Sequence, residues 1–302
     1  MVKFFSVILA VATAQDLAQL LANVEIRKTL DQAKIKVLTP AWINQYDVQY
    51  VQLQRAWVRQ AEIKFDEKGY LPESIIEGLK ELATSQEISS QFDSEFDGND
   101  RVNNLHCQDG NCTVPFGLDK IWNYGCWCHF GDNLMEGHGP PVNIFDSICK
   151  DFQRCLRCAR YDGHQENFEC NPIVQTYTTG GGPDFISQCT EGNPDNQCAV
   201  YVCSCEQTII AEIMELAFLP HNPQNEYTDV YLHSNGWSYD DNCPTVSTNP
   251  AMGKDCCGYY PKRFPYSLGN PGKACCGNST LYNPNHQDCC NDNSVVDIGS
   301  CM

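Results

Sequence analysis

Two cysteine-rich segments hold the residues whose types and spacing could support chemistry. The first reads Tyr124-Gly125-Cys126-Trp127-Cys128-His129-Phe130-Gly131-Asp132. The second brings Cys189, Cys198, Cys203 and Cys205 together with Glu206. An imidazole can act as a general base, a carboxylate can bind a cation, and paired thiols can form disulfides. The segments are therefore the first candidates for a catalytic site, a cation site or a covalently braced scaffold.

Two predicted helices would position these side chains. The first spans about 143–160, with Asn143 as a possible cap and Asp146 in the first turn, where negative charge is favoured. The second spans about 197–216 and places Cys198 and Cys205 on one face, seven residues apart. Two antiparallel helices tied by disulfides would form a rigid plate without needing a large core.

The cysteine content indicates an oxidising compartment. All 20 cysteines follow position 106, which is a density typical of disulfide scaffolds in secreted proteins. Residues 1–14 read as a signal peptide, with Lys3, an apolar run and the small residues Ala12 and Ala14; the alternative is a short buried helix. We therefore expect a secreted, extracellular protein, in which Asn111 and Asn278 begin possible glycosylation sequons.

The remaining chain divides into regions of different composition. Residues 15–106 lack cysteine and carry three predicted helices over 16–36, 50–63 and 72–82, which suggest a helical pro-region or oligomerising arm. An acidic linker over 86–100 only partly matches a calcium-binding loop, and a solvated linker is favoured. Residues 107–242 form the central domain, and residues 243–302 form a separate cysteine-rich module with no helical or strand period.

Charge excludes several classes of partner. The chain has 20 Lys and Arg against 38 Asp and Glu, for a net charge of −18. A polyanion is repelled by nucleic acids and anionic membrane surfaces. No apolar run reaches the roughly 18 residues of a transmembrane segment. We therefore expect neither nucleic-acid binding nor a membrane span.

Over residues 113–243 the chain resembles the secreted phospholipase A2 family. That family carries YGCxCGxGG, then PxDxxDxCCxxHDxCY, then CxxxxCxCDxxAAxC, and this chain matches YGCxC in the first motif and CxxxxCxC in the third. The resemblance implies a mainly α, disulfide-rich fold built on a two-helix core, with an added N-terminal helical region and an irregular C-terminal module. It also implies a set of disulfides, namely Cys128–Cys149, Cys155–Cys205, Cys189–Cys203, Cys170–Cys198 and Cys126–Cys243. The pairing of Cys107, Cys112 and Cys158 stays open.

One departure from the family motifs supports the alignment. The first cysteine of the family's vicinal pair is Ile148 here, and the position of its bonding partner is Glu212. Both members of one bridge are absent together, which a chance match would not explain.

The other departures concern catalysis. The family's catalytic histidine position holds Phe152, its calcium-binding aspartate position holds Gln153, and its orienting aspartate position holds Glu206. A phenyl ring cannot accept a proton, and losing a general base alone costs about 10²–10⁴ in rate. His129 and His138 lie on loops without a carboxylate in fixed register, and His164 reads as a solvated turn residue. We therefore expect no catalytic residues.

A calcium site is at best weak. The family loop binds calcium through backbone carbonyls, which here would involve Trp127, His129 and Gly131, with a possible contribution from Asp132. Affinity for calcium depends on ligand charge, so carbonyls without the aspartate would bind weakly. We expect no certain cofactor.

The C-terminal module resembles galaxin, a skeletal matrix protein with di-cysteine repeats. Its motif reads CCG, then YNP, then CC over 275–290, and an earlier, looser copy starts at Cys256-Cys257. Vicinal cysteines rarely bond to each other, so each should cross-link to a neighbouring turn. A zinc site using cysteines and His286 is less favoured, because the context is oxidising and no CxxC spacing occurs there.

Three functions fit these observations. The favoured hypothesis is a non-catalytic extracellular protein that associates with matrix components or a mineral surface. The second is a divergent, calcium-dependent phospholipase A2 that hydrolyses glycerophospholipid esters. The third is a phospholipid- or receptor-binding module that uses the same fold.

Overall fold

A computed structural model describes nine stretches of the chain. They are 14–38, 48–84, 107–108, 111–112, 124–128, 137–219, 239–244, 254–268 and 270–301. The predicted signal peptide before Ala14, the acidic linker over 86–100 and loop residues 129–136 lie outside these stretches.

The described residues form a mainly α, disulfide-rich fold, which confirms the predicted fold class. The helices are α1 (Ala14–Leu38), α2 (Val48–Lys68), α3 (Glu73–Thr84), α4 (Ile144–Gln165), α5 (Phe185–Gly192), α6 (Gln197–Ala217) and α7 (Tyr239–Asn242). The strands are β1 (Cys107–Gln108), β2 (Asn111–Cys112), β3 (Lys254–Cys257), β4 (Phe264–Ser267), β5 (Ala274–Cys276), β6 (Thr280–Tyr282), β7 (Gln287–Cys289) and β8 (Val295–Asp297). Among the helices described, none has a stretch long and apolar enough to span a lipid bilayer.

Helices α4 and α6 form the central plate. The side chain of Asn143 accepts a hydrogen bond from the backbone N–H of Asp146 and caps α4, as its sequence position predicts. The two helices are antiparallel, because Ile148 lies near Glu212 while Cys155 is bonded to Cys205. Their facing sides bury apolar residues, each worth about 1.5–3 kcal/mol if fully removed from water. The buried apolar residues of the plate include Phe145, Phe152, Leu156, Val202, Ile209, Ile210 and Ile213.

The N-terminal helices pack together and against the plate. Their shared core contains Leu30 of α1, Leu53 and Trp57 of α2, and Leu79 of α3, all buried. The outer face of α2 lies on α6. The region that the sequence suggests to be a pro-region or oligomerising arm is thus docked on the central domain in this structure, and we call α1–α3 the arm.

The sequence predicted an irregular C-terminal module, and this prediction is wrong. The module consists of three antiparallel hairpins. Strand β3 pairs with β4, β5 with β6, and β7 with β8. Each strand is only three or four residues long, and cysteines, which are apolar and bonded, occupy positions on several of them. Strands of this length and composition are too short to show, in the sequence, the alternation of apolar and polar positions that identifies a strand.

Successive disulfides connect these hairpins to the plate and to one another. Cys256 is bonded to Cys158 of α4, and its neighbour Cys257 is bonded to Cys275. The ladder continues through Cys276–Cys289 and Cys290–Cys301. In each vicinal pair the first cysteine bonds backward along the chain and the second bonds forward, so each pair cross-links different neighbours.

Candidate functional site

Asp146 fixes the loop that precedes the plate. Its fully buried carboxylate accepts hydrogen bonds from the backbone N–H groups of Cys126 (2.9 Å), Trp127 (2.7 Å) and Val142 (2.9 Å). Burial raises the pKa of Asp146, while these N–H groups lower it. Gly125, with φ of +62°, leaves room for the carboxylate, since a Cβ there would lie 2.5 Å from it. The loop is therefore clamped to the first turn of α4.

The side-chain amide of Gln153 fills the space between this loop and α4. Its Nε2 donates a hydrogen bond to the backbone carbonyl of Trp127 (2.5 Å), and its Oε1 accepts one from the backbone N–H of Gly137 (3.1 Å). Gln153 is fully buried. The carbonyl of Trp127, one of the predicted calcium ligands, thus faces a donor.

Arg157 adds a positive charge at the same place. One guanidinium nitrogen donates to the backbone carbonyl of Gly137 (2.8 Å) and lies 3.4 Å from Oε1 of Gln153. The guanidinium carbon lies 5.3 Å from the centre of the Trp127 ring, and Nζ of Lys150 lies 5.2 Å from that centre. Burial is the main cause that lowers the pKa values of Arg157 and Lys150.

The described residues at this place, Gln153 and Arg157, do not fit the calcium ion that the resemblance implies. A calcium site needs several oxygen ligands and is strengthened by carboxylates. Here the amide of Gln153 contributes an N–H group toward the Trp127 carbonyl, and the guanidinium of Arg157 stands beside it. A divalent cation would have to displace the amide and tolerate the positive charge of Arg157.

Phe152 occupies the predicted histidine position as part of the core. It is 3% exposed and lies on the α4 side that faces α6. A cavity of about 10 Å³ beside it is lined by Ile148, Cys205, Ile209 and Pro261, among others. That is about enough for one water, whereas ligand pockets enclose roughly 300–1,000 Å³. This cavity has no space for a lipid acyl chain.

Glu206 is buried in a polar pocket rather than beside a base. The hydroxyl of Tyr177 and the side-chain amide of Gln49 act on its carboxyl as hydrogen-bond donors and lower its pKa. Burial outweighs both and raises the pKa of Glu206 to about 8. The carboxyl is therefore mostly protonated at neutral pH.

The other predicted site residues are dispersed or lie outside the described residues. His129, Gly131 and Asp132 belong to the undescribed loop, and the side chain of Asn111 is also undescribed. His138 contacts the hydroxyl of Tyr239 (Nδ1 to O, 3.0 Å), and His164 is exposed. Within the described stretches, which include His286, no group of three His, Cys, Asp or Glu side chains could hold a metal ion.

The disulfides of the central domain follow the pairing that the resemblance implies. The structure contains Cys126–Cys243, Cys128–Cys149, Cys155–Cys205, Cys170–Cys198 and Cys189–Cys203. Where the family bridge is missing, Ile148 and Glu212 line one cavity, and Glu212 pairs with Lys262 of the C-terminal module (2.5 Å). A contact between plate and module thus stands where the family has a covalent bond.

Sequence reasoning did not find three of the residues that shape the site. Asp146 does more than place a favourable charge in the first turn of α4, because its carboxylate also holds the preceding loop. Its position in the PxDxxDxC motif could have indicated this role. Arg157 lies one turn after Gln153, so helical spacing could have placed it there. Nothing in the sequence pointed to Gln49, because it comes from a distant helix of the arm.

Two helices cross-linked by disulfides, with a loop clamped to the first of them, define a disulfide-braced scaffold of the phospholipase A2 type. Comparison with curated proteins gives the same result. The chain is 32% identical over 126 residues to basic phospholipase A2 DE-1 of Hemachatus haemachatus, covering 90% of that protein and 40% of this chain. It is 29% identical to acidic phospholipase A2 KBf-grIB of Bungarus fasciatus, covering 78% of that protein and 38% of this chain. It is also 32% identical to an acidic phospholipase A2 homolog of the same species, covering 81% of that protein and 37% of this chain.

The chain therefore belongs to the phospholipase A2 family. No family model matches it, and no solved structure matches it significantly.

Proposed function

We propose that this protein is a secreted, non-catalytic member of the phospholipase A2 family that acts as a structural or interaction protein of the extracellular matrix or of a mineral surface. The observation that carries the proposal is the network in which Gln153 donates to the Trp127 carbonyl while Arg157 stands alongside. The network takes the place of the calcium ion, and Phe152 takes the place of the general base. Metal and base each supply several kcal/mol to ester hydrolysis.

The C-terminal ladder supports the structural part of the proposal. Four successive disulfides anchor three hairpins to α4, so the module holds its shape with few buried apolar residues. The resemblance to di-cysteine repeats of a skeletal matrix protein points to matrix association. A net charge of −18 suits many weak contacts with a calcium-rich surface.

Secretion is part of the same proposal. Nine disulfides among the described residues, together with relatives that are phospholipases A2 of Hemachatus haemachatus and Bungarus fasciatus, fit an oxidising extracellular setting. Expression with the native N-terminus in a eukaryotic cell line should deliver the protein to the medium. Retention of the folded protein inside the cell would contradict this part.

The test of the activity compares the wild type with a Phe152→His/Gln153→Asp/Arg157→Ala variant on short-chain phosphatidylcholine with saturating calcium. We expect no hydrolysis by the wild type, and any gain in the variant would show that the replaced residues had blocked the reaction. Hydrolysis by the wild type would instead establish a divergent calcium-dependent enzyme.

The test of the location asks where the secreted protein accumulates. We expect it in the insoluble matrix or bound to calcium mineral particles in a sedimentation assay. Recovery in the soluble fraction, together with co-sedimentation with phosphatidylcholine vesicles at physiological salt, would favour a lipid-binding module and overturn the matrix proposal.

A further inference from the structure

One side of α4 carries a row of cationic side chains. Lys150, Arg154 and Arg157 follow one another at intervals of four and three residues, which places them on one face of the helix over about 10 Å of its length. The side chain of Arg154 is 18% exposed, and Lys150 and Arg157 are also half-buried. The row thus presents three positive charges at the surface of a chain whose net charge is −18.

Two lysines of the C-terminal module extend this row. Tyr161 continues the same face of α4, and Nζ of Lys254 in β3 lies 5.9 Å from the centre of its ring. Lys273 comes just before β5, where burial lowers its pKa and the nearby charge of Arg154 lowers it further. Both lysines are exposed. We call these five cations the cationic stripe: Lys150, Arg154, Arg157, Lys254 and Lys273.

Aromatic rings hold several of these cations in place. The ring of Trp127 has Nζ of Lys150 at 5.2 Å and the guanidinium carbon of Arg157 at 5.3 Å from its centre. The guanidinium carbon of Arg154 lies 4.4 Å from the centre of the Phe264 ring in β4. Such contacts orient a cationic side chain without neutralising its charge. The charges are therefore positioned in advance, which lowers the entropy cost of binding a ligand.

The stripe has few counter-charges of its own. Among the described residues, no carboxylate forms an ion pair with any of its three lysines. Asp151 lies 3.6 Å from Arg154 and 3.8 Å from Lys262, so it is shared with a cation outside the stripe. Burial lowers the pKa of Lys150, and the charges of Arg154 and Lys273 lower it further. Repulsion between neighbouring cations is relieved when an anion binds among them.

We propose that the cationic stripe binds a linear, sulfated polysaccharide of the extracellular matrix, an inference that rests on the proposed matrix function and names the chemistry of its partner. A row of Lys and Arg side chains offers N–H donors at intervals to sulfate groups that repeat along a thin chain. Clustered Lys and Arg residues are the sequence feature by which heparin-like polymers are bound.

The acidity of the rest of the protein favours a thin chain over a broad anionic surface. Charges interact appreciably only within about 8 Å at physiological salt. A lipid bilayer with anionic headgroups would bring many of the 38 Asp and Glu side chains within that distance and would repel them. A single polysaccharide chain that lies along α4 contacts the stripe alone.

The test is isothermal titration of the full-length protein with a heparin-derived decasaccharide at about 50 mM and about 150 mM NaCl. We expect binding that weakens as the salt concentration rises, because the contacts join opposite charges. Lys150→Gln/Lys273→Gln should weaken the binding about fivefold or more. Lys28→Gln/Lys68→Gln removes the same charge from exposed sites on the arm and should weaken it by less than about twofold.

Four outcomes would overturn the inference. They are no binding by the wild type at the lower salt concentration, an equal loss in the two double variants, equal binding of the chemically desulfated decasaccharide, and tighter binding of phosphatidylserine vesicles or single-stranded DNA. The comparison of sulfated with desulfated decasaccharide needs no variant. Hydrolysis of phosphatidylcholine or recovery in the soluble fraction would contradict the proposed function, whereas failure to bind the decasaccharide contradicts the inference about the stripe.

Discussion

The side-chain amide of Gln153 donates a hydrogen bond to the backbone carbonyl of Trp127, and so adds a contact between the loop and α4 at the place where the resemblance implies a cation. The contact is intramolecular and fully buried, so it holds the loop in place without any ligand.

The first prediction concerns calcium. Isothermal titration of the wild type should show no binding at this loop tighter than about 1 mM. Gln153→Asp alone should change little, because Arg157 would pair with the new carboxylate. Gln153→Asp/Arg157→Ala should bind calcium at least about tenfold more tightly than Gln153→Asp does. Arg160→Ala in place of Arg157→Ala serves as the control, and tight binding by the wild type would contradict the prediction.

The second prediction concerns the contact between the C-terminal module and α4. The buried carboxylate of Asp162 accepts two hydrogen bonds from Arg263 (2.6 and 2.9 Å) and one from the hydroxyl of Tyr260 (2.7 Å). Asp162→Asn should lower the free energy of unfolding by about 2–3 kcal/mol, because it leaves a half-buried guanidinium without its counter-charge. Denaturant unfolding measures this loss.

A control for this prediction is Asp297→Asn, since Asp297 is an exposed carboxylate on β8. It should change the free energy of unfolding by no more than about 0.5 kcal/mol. Equal effects of the two substitutions would show that the contact between Asp162 and Arg263 contributes nothing particular to stability.

The third prediction concerns the order in which the disulfides are reduced. Cys301 is exposed and Cys290 half-buried, whereas Cys128 and Cys149 are fully buried. Mild reductant followed by alkylation and mass spectrometry should therefore label Cys290 and Cys301 first and Cys128 and Cys149 among the last, since thiol exchange requires access. Labelling of Cys128 before Cys301 would contradict this predicted order of reduction.

The fourth prediction concerns glycosylation. Asn278 is exposed in the turn between β5 and β6, with φ of +59°, and it begins the sequon Asn278-Ser279-Thr280. Protein secreted from eukaryotic cells should carry an N-glycan at Asn278, which peptide:N-glycosidase treatment removes. Thr280→Ala should abolish it without changing the turn residue. A peptide containing unmodified Asn278 in all secreted protein would refute the prediction.

The sequence predicted the helices of the plate well, because their signals are local. Asn143 caps α4 as expected, and the predicted helix over 197–216 agrees with α6 to within one residue. The fold class followed from cysteine spacing that matches a known family. Short-range patterns of this kind are written in consecutive residues and need no tertiary information.

The remaining features arise from contacts between distant segments. Nothing near Gln49 or Gln52 indicates that these amides meet Glu206 and Tyr177 across more than 120 residues of chain. The partner of Cys158 stayed open because it lies in the C-terminal module, at Cys256. Hairpins with strands of three or four residues are likewise set by the disulfides around them rather than by a period in the sequence.

The most direct test of the central claim is the release of fatty acid from short-chain phosphatidylcholine by the purified wild-type protein with saturating calcium. We predict release no faster than in a protein-free blank, because Phe152 supplies no base and the amide of Gln153, with Arg157, stands in the place of the metal. Sustained release that scales with protein concentration and disappears on chelating calcium would contradict the account.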